Sequence, residues 1–150
     1  MSGAEPRPTV GVGAVVWRGS EVLLVRRGNP PRADEWSLPG GKQEWGETVE
    51  AAVRREVRQE TALELGPLTF VDVVDLVATD AAGRVTHHYT LLDYTAEATA
   101  GVARAGDDAV AAAWFRLDEL APLGLWAQTR RVIARAEALR RPAGHFPAGS

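Results

Sequence analysis

The 150-residue sequence contains no cysteine, and this absence removes several kinds of chemistry at once. Disulfide bonds, thiolate metal sites and cysteine nucleophiles are all excluded. The chain is therefore neither a disulfide-stabilised scaffold nor a cysteine-dependent enzyme.

Long apolar runs are also lacking, since none approaches the roughly 20 residues that a helix needs to span a bilayer. The N-terminal sequence MSGAEPRPTV has neither the basic segment nor the apolar stretch of a secretory signal. A basic excess is missing too: 17 basic and 20 acidic residues give a net charge of -3, which argues against a broad nucleic-acid-binding surface. We therefore expect a cytoplasmic protein that binds no membrane and no nucleic acid polymer.

The residues that are present have an ordinary globular composition, with 45% apolar and 25% charged side chains. A chain of this length has room for one domain with a substantial core, and not comfortably for two. We expect a single domain over residues 1–150, with its core at about 9–139 and flexible ends at 1–8 and 142–150.

Hydrophobic patterning and turn residues predict a sheet with two helices. The predicted strands are Thr9–Trp17, Glu21–Arg26, Trp36–Leu38, Leu68–Ala78, Val85–Ala96 and Val110–Arg116. The predicted helices are Glu47–Thr61 and Gln128–Leu139. The chain is expected to turn at 27–35, and Pro39–Gly41 is expected to end the strand Trp36–Leu38. Because hairpins dominate and one βαβ-like passage is present, we predict an α/β domain with a mixed sheet.

The first predicted helix has three distinct faces when its residues are placed at 100° intervals. The apolar face consists of Val49, Val53 and Val57. The solvated face consists of Glu47, Glu50, Arg54 and Arg58, and the third face of Arg55, Glu56, Gln59 and Glu60. The apolar face can pack on the sheet, which leaves the third face to be explained.

Two carboxylates, Glu56 and Glu60, lie one above the other on that third face, roughly 5 to 6 Å apart at Cβ. The pairing is mildly repulsive by itself and becomes favourable when a hard cation such as Mg²⁺ lies between the two acids. On the helix alone, a solvated surface with ion pairs between successive turns is the more common explanation of such a pattern.

The wider spacing resembles the signature of the Nudix hydrolases, G-x5-E-x7-R-E-U-x-E-E-x-G-U, where U is a bulky aliphatic residue. The matching positions are Gly41, Glu47, Arg55, Glu56, Val57, Glu60 and Leu63. Two positions depart from the signature: Gln59 replaces an acid and Ala62 replaces a glycine. The likeness covers roughly residues 9–139, and within the family the chain resembles small bacterial ADP-ribose pyrophosphatase-like members.

The resemblance implies an α/β/α sandwich whose signature helix presents acids to Mg²⁺ or Mn²⁺. By the same likeness, Glu56, Glu60 and the Gly41 carbonyl are the expected metal ligands, and Arg55 and Glu47 hold the helix and the acids in place. The implied activity is metal-dependent cleavage of a diphosphate linkage in a nucleotide-derived small molecule. ADP-ribose or a nucleotide sugar is the expected substrate, and a homodimer is left open.

The Gln59 departure leaves several interpretations open. An amide oxygen can ligate a metal without bringing charge, so the site could bind metal more weakly or hold fewer ions. Alternatively, an acid elsewhere substitutes. Asp107 and Asp108 are the candidates, although a solvated turn is the more common explanation of such a pair. The Ala62 departure is expected to shift the end of the helix.

Three further residues are candidates for substrate binding. Arg26 and Arg27, at the end of a strand, could grip phosphate or form an exposed strand end. Trp36 could stack on a base or pack internally.

Two other functions remain open at this level, because fold and signature do not fix a substrate. One is hydrolysis of nucleoside triphosphates, including oxidised ones. The other is a binding module of the same fold that retains nucleotide affinity without turnover. Gln59 alone favours the binding module, whereas the preserved acids Glu56 and Glu60 argue against it.

Overall fold

The computed structural model describes residues 5–28, 34–106 and 109–140, and within them an eight-stranded mixed sheet lies between two helices. The strands are β1 (Thr9–Arg18), β2 (Glu21–Arg27), β3 (Trp36–Ser37), β4 (Gly40–Lys42), β5 (Glu64–Leu65), β6 (Thr69–Thr79), β7 (Val85–Ala100) and β8 (Ala109–Arg116). The helices are α1 (Val49–Thr61) and α2 (Ala127–Arg140), with short 3-10 turns at Leu117–Glu119 and Ala121–Leu123. None of the helices in these described ranges is long and apolar enough to cross a membrane.

Strand β1 is the centre of the sheet. It runs parallel to β7 and antiparallel to β2 and β4. The remaining pairs, β6 with β7, β5 with β7, β3 with β2 and β8 with β2, are antiparallel. The predicted mixed sheet is therefore confirmed.

Alternate side chains of β1 enter two separate cores, because successive residues of a strand point to opposite faces. Val12, Ala14 and Val16 pack with the apolar face of α1. Val15 and Trp17 pack with α2 on the other face. The helices therefore cover opposite faces of the sheet, which confirms the α/β/α sandwich.

Strand β3 ends before Pro39, as predicted, but the prediction did not include the strand β4 that Gly40 begins and that pairs with β1. A Cβ added to Gly40 would lie 2.0 Å from the Val12 carbonyl oxygen. Only a residue without a side chain allows the two backbones to approach this closely. The glycines that looked like turn residues thus permit a close strand pairing.

Helix α1 begins two residues later than predicted, at Val49. Thr48 is its N-cap, and the Thr48 hydroxyl accepts a hydrogen bond from the Ala51 N–H at 3.1 Å. Glu47 was predicted as a solvated helical residue, but it lies before the cap, with a side chain only 14% exposed. This position turns the Glu47 carboxylate back towards the helix that follows it.

The Ala62 substitution does not shift the end of α1, contrary to the prediction. Ala62 takes the left-handed conformation, with φ of 65°, and its N–H donates to the Arg58 carbonyl. This conformation normally favours glycine, because Cβ crowds the backbone. The helix therefore ends at the same position and in the same conformation that a glycine would give, but with backbone strain at Ala62.

Candidate active site

Glu60 is held at the start of β4 by a backbone hydrogen bond. Its side chain lies at the sheet-facing side of α1, and the residue is only 4% exposed. The Gly40 N–H donates to Glu60 Oε1 at 2.9 Å. This bond fixes one carboxylate oxygen beside the glycine pair.

Glu56 lies against the second glycine of the pair. A Cβ added to Gly41 would be 2.5 Å from the Glu56 carboxyl carbon and from Oε2. Any other side chain at position 41 would therefore displace this carboxylate. The sequence Gly40–Gly41 thus serves both acids, one through its N–H and the other through its missing side chain.

Arg55 connects the acids with the loop that precedes the helix. Its Nε and Nη2 donate to the two Glu47 oxygens at 2.5 and 2.9 Å. Its Nη1 donates to Glu56 Oε2 at 2.9 Å and to Gln59 Oε1 at 3.1 Å, and Nη2 also donates to the Lys42 carbonyl at 2.9 Å. The guanidinium is 18% exposed and organises the cluster through every one of its nitrogens.

The Arg55–Glu47 pair is ionised across the physiological range. The hydrogen bond from Arg55, followed by the one from the Glu44 N–H, lowers the pKa of Glu47 to about 2. Glu47 in turn raises the pKa of the Arg55 guanidinium, with a further contribution from Glu56. Both Glu47 and Arg55 therefore stay charged near neutral pH.

Six of the predicted site residues lie together in this cluster: Gly41, Glu47, Arg55, Glu56, Gln59 and Glu60. Asp107 and Asp108 fall outside the described residues. The segment before them is nevertheless tied to α1, because the Gly106 N–H donates to the Glu60 carbonyl at 3.0 Å.

The oxygen atoms in this cluster suit a hard divalent cation. Within the described ranges no group of three or more acidic, histidine or cysteine side chains converges on one point. Two carboxylates, Glu56 and Glu60, and the backbone beneath them supply oxygen atoms, the ligands that Mg²⁺ prefers together with water and substrate phosphates. The residues therefore fit a metal that completes its shell with substrate and water.

A cavity of about 350 Å³ opens beside the glycine pair, on the face of the sheet that carries α2. Its lining includes Trp36, Tyr89, Leu91, Asp93, Trp126 and the backbone of Gly41. A concave, mostly apolar pocket with a few polar groups is the usual form of a small-molecule site. The cavity and the acidic cluster share Gly40 and Gly41, so a ligand in one is adjacent to the other.

The two candidate arginines are placed differently. Arg27 lines the cavity together with Trp36. Arg26 is exposed, and its guanidinium lies 5.9 Å from the centre of the Trp36 ring. The structure therefore places Arg27 on the cavity wall and Arg26 behind the tryptophan that lines the cavity.

Asp93 is a cavity residue that the sequence analysis missed. The residue lies on β7 and is only 6% exposed. Burial, with a smaller contribution from the negative charge of Asp72, raises the pKa of Asp93 to about 7. The available signal was an acid inside an otherwise apolar strand, LLDYT, where an unpaired charge is costly.

Comparison with known proteins agrees with this geometry. The NUDIX domain family model matches residues 7–136. The chain is 36% identical over 116 residues to an ADP-ribose pyrophosphatase of Methanocaldococcus jannaschii, a match that covers 77% of this chain and 66% of that protein, just under two thirds of its length.

A Mycobacterium tuberculosis protein with the provisional name 8-oxo-dGTP diphosphatase 2 is 41% identical over 109 residues, 72% of each chain. Among solved structures, the MutT Nudix hydrolase of Burkholderia pseudomallei superposes with a TM-score of 0.76 at 38% identity, covering 87% of this chain and 98% of that one. Family model, relatives and fold agree, and this chain belongs to the Nudix hydrolase family.

Proposed function

We propose that this enzyme uses Mg²⁺ or Mn²⁺ to hydrolyse a diphosphate linkage in a nucleoside diphosphate joined to another moiety, with ADP-ribose or a nucleotide sugar as substrate. The observation that carries the proposal is the acidic pair Glu56 and Glu60, fixed on the Gly40–Gly41 backbone where that backbone borders an aromatic-walled cavity. This arrangement provides a cation site and a nucleoside site in direct contact.

Nudix hydrolases use divalent metal ions, and the residues of this chain that would hold one are Glu56, Glu60 and the Gly41 carbonyl. When bound, such an ion polarises phosphoryl oxygens and lowers the pKa of the attacking water. Without a cation between them, the negative charges of Glu56 and Glu60 would repel a diphosphate.

The remaining site residues act by holding and orienting. Arg55, fixed by Glu47, keeps the Glu56 carboxylate in one place, and the Gly40 N–H does the same for Glu60. Arg27, on the cavity wall, provides a cation that can bind a phosphate oxygen through two N–H groups.

The choice of ADP-ribose is supported by the Methanocaldococcus jannaschii relative, which is named for that activity. A second candidate, hydrolysis of nucleoside triphosphates including oxidised ones, is supported by the Mycobacterium tuberculosis relative. The acidic cluster suits both reactions equally well, so the substrate preference depends on which nucleotide the cavity binds.

The two candidates differ in their products. The purified protein should be incubated with ADP-ribose, a nucleotide sugar, nucleoside triphosphates and 8-oxo-dGTP, each with Mg²⁺ and with EDTA. Release of AMP and ribose 5-phosphate from ADP-ribose supports the first proposal, whereas pyrophosphate release from a triphosphate supports the second. Absence of metal-dependent hydrolysis across the panel would contradict both.

A further inference from the structure

The buried carboxyl of Asp93 lies in the wall of the cavity and lacks a partner there. The residue is 94% buried, and no hydrogen bond reaches its side chain from the part of the chain that the structure describes. The nearby cation, Arg131, donates instead to Asp72 at 2.8 Å. Among the described residues, the carboxyl oxygens of Asp93 are not sealed from solvent as the Trp114 Nε1 atom is, so what remains accessible of them faces the cavity that Asp93 lines. A mostly buried acid without a protein partner is costly, and a ligand in the cavity could supply the missing hydrogen bond.

Two glycines of β1 make room for the side chains of this wall. A Cβ on Gly13 would lie 2.4 Å from Asp93 Oδ1, and a Cβ on Gly11 would lie 2.7 Å from Leu91 Cδ2. The Asp93 carboxyl therefore lies over the bare backbone of β1, in space that any other residue at position 13 would fill. The glycines set the floor of the cavity, and the acid lies on that floor.

The composition of the cavity indicates a flat ligand with a polar edge. Trp36, Tyr89 and Trp126 provide aromatic surfaces suited to stacking, and Val74 and Leu91 add apolar area. Asp93 is the deeply buried acid of this wall, so it would meet an N–H group of the ligand. A nucleobase with an exocyclic amino group has this combination of a flat ring and an N–H donor.

The position along the sheet also suits a nucleotide. Gly13 pairs with Gly40 on one side and with Asp93 on the other. Two strand spacings of roughly 4.8 Å therefore separate Asp93 from the glycine that binds Glu60, which is about 10 Å. That separation lets the base reach Asp93 while the diphosphate lies at the acidic pair.

Resting on the proposed function, we propose that Asp93 determines base specificity by accepting a hydrogen bond from the exocyclic amino group of the substrate's nucleobase, adenine in the case of ADP-ribose. The carboxyl offers an acceptor oxygen whether it is protonated or ionised. Burial raises the pKa of Asp93 towards neutrality, so the carboxyl can take up a proton when no substrate is bound. This reduces the energetic cost of a buried charge between turnovers.

The test uses two matched pairs of substrates that differ by one amino group. ADP-ribose is compared with the analogue that carries purine in place of adenine, and a GDP-linked sugar with its hypoxanthine counterpart. For the pair that is turned over faster, wild-type kcat/KM is expected to fall about 10-fold or more when the amino group is absent, mainly through KM. A wild-type ratio near one for both pairs would overturn the proposal without any variant.

Variants then assign the effect to this residue. Asp93→Leu removes the acceptor at similar volume and should bring the ratio close to one, whereas Asp93→Asn keeps an acceptor oxygen and should retain much of the discrimination. Asp75→Asn, on the exposed side of β6, is the matched control and should leave the ratio unchanged. An Asp93→Leu ratio equal to that of wild type contradicts the proposal, whereas failure to hydrolyse any of the four substrates contradicts the proposed function itself.

Discussion

Arg55 and Glu47 lie eight residues apart and are joined by two parallel hydrogen bonds, with Nε–Oε2 and Nη2–Oε1 separations of 2.5 and 2.9 Å. The same guanidinium donates to Glu56 at 2.9 Å. The planar fork of arginine makes all of these bonds possible at once, and a lysine ammonium cannot reproduce them. The loop before α1 and the acid on α1 are therefore held by a single side chain.

Arg55→Lys should lower kcat by about 10- to 100-fold and raise the Mg²⁺ concentration needed for half-maximal rate. The charge is kept, but the bridge between Glu47 and Glu56 is lost. Arg58→Lys is the matched control, because Arg58 lies on the same helix and pairs with Glu64 at an exposed position. Equal Mg²⁺ titrations of kcat for wild type and Arg55→Lys would contradict the bridging role.

Glu56→Gln and Glu60→Gln should each lower kcat by roughly 100-fold or more, because each removes charge that holds a cation. Without metal, the melting temperature should be unchanged or raised, since repulsion between stacked carboxylates is relieved. Glu50→Gln, in the first turn of α1, is the control for a generic loss of charge. EDTA should abolish turnover by wild type, and a variant at either acid with near-normal kcat at moderate Mg²⁺ would not have lost a metal ligand.

Ala62→Gly should raise the free energy of unfolding by about 1 kcal/mol, because Ala62 has φ of 65°, which costs a residue with Cβ about that much. The melting temperature should rise by about 2 to 4 °C, with kcat unchanged. Ala51→Gly, at an exposed position inside α1, should instead destabilise the protein by roughly 0.5 to 1 kcal/mol. Thermal unfolding of the two variants with the same sign of change would contradict this account.

Asp93 should make stability depend on pH. Its folded pKa of about 7 lies above the ordinary value of 3.8, so the folded state binds a proton that the unfolded state has lost. The unfolding free energy from this group is therefore greatest below pH 4, falls as pH rises towards 7 and stays low above it, by an amount on the order of 4 kcal/mol. Asp72 and Arg131 are the charged groups that act on it, with opposite signs.

Asp93→Asn removes this titration. The melting temperature of the variant relative to wild type should rise across pH 4 to 7 and level off above it. Asp75→Asn should show no such trend. A difference between Asp93→Asn and wild type that is constant over this range would mean that folding does not shift the pKa of the Asp93 carboxyl.

Local patterns predicted six of the eight strands, both α-helices and the acidic face of α1, because each of these depends on the periodicity of neighbouring residues; the short strands β4 and β5 were not predicted. The β4 strand was missed because Gly40 and Gly41 are typical of turns, and their role depends on the close approach of β1. Asp93 was missed for a related reason: its place on the cavity floor depends on Gly13, which is distant in sequence. Relationships between strands far apart in the chain are set by tertiary pairing, which a local pattern does not contain.

Gln59 stands where the family signature has a negatively charged acid, and in this structure its side-chain amide is hydrogen-bonded to Arg55. The side chain is exposed, and its Oε1 accepts a hydrogen bond from Arg55 at 3.1 Å. Arg55 already serves Glu47 and Glu56. A carboxylate at position 59 would be a third acid around the single Arg55 guanidinium, next to Glu47 and Glu56. Gln59→Glu should therefore lower the unfolding free energy in the absence of metal.

With metal present the sign should reverse. A new carboxylate beside Glu60 attracts a cation, so Gln59→Glu should lower the Mg²⁺ concentration for half-maximal rate and gain more thermal stability than wild type as Mg²⁺ is added. Ala51→Glu adds the same charge on the solvated face of α1 and should change neither quantity.

A second source of negative charge is possible near this site, because the Gly106 N–H donates a hydrogen bond to the Glu60 carbonyl and Asp107 and Asp108 follow Gly106 in the sequence. An unchanged Mg²⁺ midpoint in Gln59→Glu would therefore mean that position 59 does not face the cation, and the same thermal-shift titration on Asp107→Asn and Asp108→Asn would then locate the missing charge.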